Sequence, residues 1–217
     1  MFFTYVFDFD GTLIDSASLK RQGLFEVLKG ADGFADVLSE ILEANPAYTR
    51  VEIFESVSRA LGPSFNIKIS KLLSDYASWC LHNVAQAPEI PGALRIIEYL
   101  ATKGNAIYIS SATPTDELMT HLDRRGFSRH VKKAFGAPER KESHLDEILT
   151  IEGHLPKSVL CVGDSVNDER IAFEKGCAFL GISSYPEADR FSSCTFADLN
   201  ELMMWLRQNP SGWRLRK

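Results

Sequence analysis

Two carboxylates one residue apart, Asp8 and Asp10, stand where an apolar run gives out, in Asp8-Phe9-Asp10-Gly11-Thr12. Side chains at i and i+2 leave a strand end on the same side, so both acids can face one ligand while Phe9 turns back into a core. Gly11 lets the chain turn closely around that ligand. Ser110-Ser111-Ala112-Thr113-Pro114 is a hydroxyl-bearing strand end that leads into a helix N-terminus, a favourable place for an anionic oxygen. Ser111 is the preferred phosphate ligand there, with Ser110 in that role, or a plain N-cap, as the alternatives. In Gly136-Ala137-Pro138-Glu139-Arg140-Lys141 one cation opens a helix where the macrodipole has no use for it, so Lys141 is better explained by an anion. Lys132 and Lys133 compete for that role, but they precede a short strand near Ala134-Phe135 and read as solvated. Finally, Val162-Gly163-Asp164-Ser165-Val166-Asn167-Asp168 carries two carboxylates four residues apart, one a hard metal ligand and one a supporting acid. Asp8, Asp164 and a main-chain carbonyl would suit Mg²⁺, which prefers octahedral oxygen coordination completed by waters and a substrate phosphate. An isolated Asp-x-Asp-Gly can equally be a helix cap and a turn. That bland reading weakens once four strand ends must imitate one site by chance.

The elements that must deliver these residues are legible from periodicity. Short runs rich in β-branched and aromatic residues at 2–7, 106–109, 158–162 and 178–182 read as buried strands. Segments 91–103, 115–125, 142–150 and 167–175 have the apolar spacing of a helix with one buried face, and Pro91 and Pro114 stand near the starts of the first two. Alternating strands and helices predict an α/β core, a doubly wound, Rossmann-like parallel sheet with helices on its faces. In such a sheet ligands bind beyond the carboxyl ends of the strands, where all four polar clusters fall. The stretch 17–86 is different: helix follows helix at 19–29, 34–44, 50–61 and 69–86, broken at Gly30 and Gly33, at Asn45-Pro46 and at Gly62-Pro63. It reads as an inserted all-helical cap domain, leaving 1–16 and 87–217 as the core. A last amphipathic helix is expected at 198–208, followed by a polar tail with little chemical role.

Composition sets the outer bounds. At 217 residues the chain suits one substantial core and a smaller second module. Its 45% apolar and 24% charged content is that of an ordinary globular protein. A formal net charge of -5, with no basic block longer than Lys132-Lys133, argues against a nucleic-acid polymer as partner. The first apolar run is interrupted by Asp8 and Asp10 and has no basic flank, so neither a signal peptide nor a membrane span is expected, and a cytoplasmic location follows. Cys80, Cys161, Cys177 and Cys194 lie far apart without a C-x-x-C pair and read as buried reduced thiols. No histidine spacing suggests a metal, and His121, His130, His144 and His154 are expected at the surface. Nothing in the letters singles out an oligomeric state.

Taken in this order, the four clusters resemble the signature motifs of the haloacid dehalogenase-like superfamily, in particular its phosphatase branch, and the resemblance spans nearly the whole chain. It implies that Asp8 is a nucleophile forming an aspartyl-phosphate. Asp10 would protonate the leaving alkoxide and then deprotonate the hydrolytic water. Mg²⁺ would be held by Asp8, Asp164 and the main-chain carbonyl of Asp10. Ser111, the main chain at Ala112 and Lys141 would bind the phosphoryl group. Asp168 would orient Lys141 or a metal-bound water, and Thr12, beside Gly11, would help to seat Asp10. Members that act as dehalogenases lack an Asp at the position of Asp10, so dehalogenation is not expected. The expected reaction is hydrolysis of a small phosphorylated metabolite, in the manner of a phosphoglycolate phosphatase. Selectivity would reside in the cap, with Lys20 and Arg21 as candidates that could equally be a solvated helix face. A sugar-phosphate mutase of the β-phosphoglucomutase type is the alternative enzyme, although similar mutases carry a His where this chain has Lys20. A non-catalytic binding module on the same fold is the alternative of another class.

Overall fold

The computed structural model describes residues 2–45, 48–183 and 191–209. Pro46 and the tail 210–217 lie outside the described residues. The chain divides into two compact units, Met1–Asp15 with Pro88–Lys217, and Ser16–Ala87.

The first unit is built on one parallel sheet. β1 (Thr4–Phe7) lies between β2 (Ala106–Pro114) and β4 (Val159–Gly163), and β3 (Lys133–Ala137), β5 (Ala178–Ile182) and β6 (Thr195–Phe196) complete the order β3-β2-β1-β4-β5-β6. The first three strands step one way across the sheet and the last three step the other. Right-handed crossovers therefore place the intervening helices on opposite faces. α5 (Ala93–Thr102) and α6 (Thr115–Arg124) belong to the first direction, and α7 (Lys141–Glu152) and α8 (Val166–Glu174) to the second. α9 (Leu199–Gln208) packs on α5. On the α7–α8 side the core is Val6, Tyr108, Phe135, Leu145, Ile148, Cys161, Ile171 and Phe179. Alternate strand residues such as Phe7, Ile107, Ile109 and Leu160 are buried as well, so the strands read as continuous apolar runs because both faces are covered. The reversal of direction at β1 opens a crevice beyond the carboxyl ends of β1, β2 and β4.

Two strand details differ from the sequence reading. β2 does not end at residue 109: after a shift in register between Ser110 and Pro114 it pairs again with β3 through Pro114 and Ala137. β6, two residues in a polar setting, is absent from the sequence expectation and, among the described residues, pairs with β5 alone.

The second unit comprises α1 (Ala17–Leu28), α2 (Phe34–Ala44), α3 (Arg50–Leu61) and α4 (Ile69–Asn83). α1 packs on α4, and α3 on both α2 and α4. Thr49 and Glu52 form a reciprocal capping box that opens α3. Leu28, Leu38, Phe54, Val57 and Leu72 are fully buried, and Phe54 meets Tyr76 edge-on at 5.9 Å. The segments entering and leaving this unit are joined within the first one, where Asp15 N–H donates to the Pro88 carbonyl at 2.9 Å. Among the described residues no helix is long and apolar enough to cross a membrane.

Candidate active site

β1 delivers Asp8 directly. Its N–H donates to the Val162 carbonyl at 2.9 Å, tying the first residue past β1 to the end of β4. Phe9 then turns into the core, fully buried, and its carbonyl accepts from Leu13 and Ile14 in a tight turn. Gly11 is needed there twice over. Its φ of +81° is left-handed, and a Cβ at this position would lie 2.2 Å from Asp164 Oδ2. The Asp164 carboxylate therefore rests against the backbone of the loop that carries Asp8 and Asp10.

Lys141, the first residue of α7, donates to Asp8 Oδ1 at 2.7 Å and to Asp168 Oδ1 at 2.6 Å. The other oxygen of Asp168 accepts from Ser165 Oγ at 2.5 Å, and the same Ser165 oxygen accepts from the Asp168 N–H. Asp168 is thus held by its own N-cap while it holds the lysine. Asp10 has different partners. Its Oδ2 accepts from Thr113 Oγ1 at 2.8 Å and from Ser111 Oγ at 3.3 Å, and Ser111 Oγ also accepts from the Thr113 N–H. Thr113 can come this close because β3 passes it at Gly136, where a Cβ would lie 2.4 Å from the Thr113 carbonyl oxygen.

The electrostatics follow from burial and crowding. The Asp8 carboxyl is raised to about 6: burial pushes it up, Lys141 pulls it down, and the charges of Asp168 and Asp10 push it up again. Asp164 is raised well above the usual carboxylate range, by burial first and then by the negative charges of Asp8 and Asp168. Burial would lower Lys141, but Asp168 and Asp8 outweigh it and keep the ammonium protonated. One lysine does not balance this set of acids. Asp8, Asp164 and Asp168 each offer an oxygen within 4.8 Å of the others, a hard donor set of the kind a divalent cation such as Mg²⁺ takes.

All four sequence clusters reach the same crevice in the first unit, with several differences in detail. The third converging carboxylate is Asp168, while the Asp10 side chain turns to the β2 strand end. Thr12 is fully buried, its hydroxyl has no hydrogen-bond partner among the described residues, and Thr113 is the threonine bonded to Asp10. Ser110 faces away from Ser111 and bonds His144. Lys132 and Lys133 are exposed and paired with Glu152 and Glu147. Lys20 and Arg21 lie on α1 in the second unit. The Lys20 carbonyl accepts from Tyr76 Oη, and exposed Arg21 lies over the Phe25 ring.

Two expectations are corrected. His121 and His144 are not surface residues but 1% and 2% exposed, because α6 and α7 turn those positions toward the sheet. Cys194 is exposed, whereas Cys80, Cys161 and Cys177 are buried free thiols. Thr113 and Ser165 stand in the sequence clusters without an assigned role, and His144 is expected there at the surface. Ser165 had a local signal, since a Ser three residues before an acid is an N-cap pattern. The other two depend on contacts between distant segments.

Solved structures share this architecture. A predicted phosphoglycolate phosphatase from Haemophilus somnus 129PT superposes with a TM-score of 0.75 at 20% identity, covering 94% of this chain and 97% of its own. CbbY from Rhodobacter sphaeroides, in complex with phosphate, gives 0.78 at 17% identity, covering 93% and 96%. A haloacid dehalogenase-like hydrolase from Bacteroides fragilis gives 0.75 at 20% identity, covering 93% and 100%. At these identities the likeness speaks to the fold. No curated protein matches the chain. The family model of the haloacid dehalogenase-like hydrolases matches residues 5–182, from the strand that delivers Asp8 to the end of the strand beyond Asp164 and Asp168. With that span matched, the chain belongs to the haloacid dehalogenase-like hydrolase family.

Proposed function

We propose that this chain is a Mg²⁺-dependent phosphatase that hydrolyses a small phosphomonoester through an aspartyl-phosphate on Asp8. The observation that carries the reading is the division of partners between two neighbouring acids. Asp8 is bound to the Lys141 ammonium, whereas Asp10 accepts from the Thr113 and Ser111 hydroxyls. A nucleophile must stay ionised, and a general acid must be able to carry a proton.

In the first displacement an Asp8 oxygen attacks phosphorus and the ester P–O bond breaks. Asp10, held at Oδ2 by the Thr113 and Ser111 hydroxyls, gives its proton to the departing alkoxide. In the second, Asp10 takes a proton from a water that attacks the same phosphorus, releasing orthophosphate and restoring the Asp8 carboxylate. Lys141, the Ser111 hydroxyl and the main chain at Ala112 bind the transferred oxygens. Asp8, Asp164 and the Asp10 carbonyl would hold the ion, with Asp168 close by; when bound it supplies positive charge that lessens repulsion between nucleophile and phosphate. Lys20 and Arg21 would select the leaving group. A small anionic ester as substrate is supported by two structural neighbours: the Haemophilus protein, a predicted phosphoglycolate phosphatase, and CbbY, a mutant of which was crystallised with xylulose 1,5-bisphosphate.

The test is phosphate release from a panel of phosphate esters, with and without Mg²⁺. Steady release that needs the ion supports the proposal. Isomerised ester without release would identify a mutase, and neither product would leave a binding module.

A further inference from the structure

His144 is buried, yet the reaction proposed above has no use for it. It lies one turn beyond Lys141 on α7, and its ring stacks on Phe135 of β3 with centroids 5.4 Å apart and planes 26° apart. Its Nδ1 stands 3.0 Å from Ser110 Oγ, a bond in which either group donates according to the imidazole tautomer. Ser110 is itself 7% exposed and immediately precedes Ser111. With Asp8, Lys141 and Asp168 it also borders a cavity of about 30 Å³ behind the site. An aromatic hydrocarbon would fill the space beside Phe135 without the cost of desolvating an imidazole. The imidazole adds a directional bond between the helix that carries Lys141 and the strand end that carries Ser111 and Thr113. Burial lowers its basicity, the Gly136 main chain opposes this, the Lys141 ammonium lowers it again against the charge and main chain of Glu139, and the net shift favours the neutral ring.

We infer that His144 is a positioning residue: through Ser110 it sets the spacing between Lys141 and the Ser111–Thr113 strand end, the two parts of the site assigned above to the phosphoryl oxygens. This rests on the phosphatase reading. Errors of about 1 Å in such spacing cost on the order of 100-fold in rate, so the effect belongs in turnover more than in substrate affinity.

Four variants of the full chain test it: His144→Phe keeps the stack and loses the bond, His144→Asn keeps a bonding group at the position of Nδ1, and Ser110→Ala and the Phe/Ala double variant remove the partner. The expected result is a kcat lowered by about 10- to 100-fold in His144→Phe with KM changed less than about 3-fold, partial rescue in His144→Asn, and no further loss in the double variant. Amide NMR signals of Ser111, Ala112 and Thr113 should shift in His144→Phe and return toward wild type in His144→Asn. A lower melting point with unchanged kcat and unmoved amide signals would overturn the inference, as would a double variant whose losses simply multiply. If wild-type protein releases no phosphate, the functional reading fails, and the amide signals alone still decide whether His144 positions the strand end.

Discussion

The two units bury different kinds of side chain. Among the described residues of Ser16–Ala87 those buried are apolar apart from Tyr76 and Ser16, whereas the α/β unit buries Asp8, Asp168, Glu169, His121 and His144 together with Thr4, Thr12, Ser110, Ser111 and Thr113. An apolar core needs about the right volume and tolerates drift, because dispersion and hydrophobic burial have no direction. A buried carboxylate needs a partner at hydrogen-bond distance and costs several kcal/mol if it loses one. The α/β unit is therefore constrained by geometry, and the helical unit chiefly by shape.

That contrast can be broken by substitution. The largest effect is expected for Asp8→Asn, which should lower phosphate release by about 10³-fold or more, while the melting temperature holds or rises because a crowded buried charge has gone. Residual turnover near wild type would remove Asp8 from its role. Lys141→Met comes next. It strips the ammonium from two buried carboxylates and should cost roughly 3–5 kcal/mol in denaturant unfolding at neutral pH, and less in acid where those carboxylates take up protons. In the helical unit Leu72→Ala should cost roughly 2–5 kcal/mol through a cavity, but leave kcat per folded molecule close to wild type. A comparable fall in kcat would show that the helical unit also carries geometric constraint.

The smallest effect concerns pH. The folded-state value for Asp8, about 6, lies above its ordinary 3.8, so without a divalent ion its contribution to stability is full below about 4 and is lost as pH rises through 6. A bound cation must displace that proton. The rise in melting temperature produced by Mg²⁺ should consequently be larger at pH 8 than at pH 5.5, by a few degrees at roughly 2–4 °C per kcal/mol for a chain of this size. Equal rises at both values would count against Asp8 as a ligand.

The parts legible in the letters were those with a local cause. α2 and α3 occupy 34–44 and 50–61 as expected, and Gly62, with a φ of +66°, stops the second. The strand ends bearing Asp8 and Asp164 and the helix start bearing Lys141 stand out because each places a polar residue against a sharp change in hydrophobic pattern. The extension of β2 to Pro114 was not legible, since it depends on a register shift against β3, about 23 residues further along. Nor was the burial of His144, because a helix position reveals its environment only when the sheet beneath it is known.

Sequence alone determined the order of elements, the helical insertion and the residue types brought to the carboxyl ends of the strands, because periodicity and turn chemistry act over a few residues. Tertiary structure decided which of those residues meet: Lys141 bridging Asp8 and Asp168, Thr113 on Asp10, His144 behind Ser110. Hydrogen bonds span about 3 Å, and only the folded sheet brings segments a hundred residues apart within that reach.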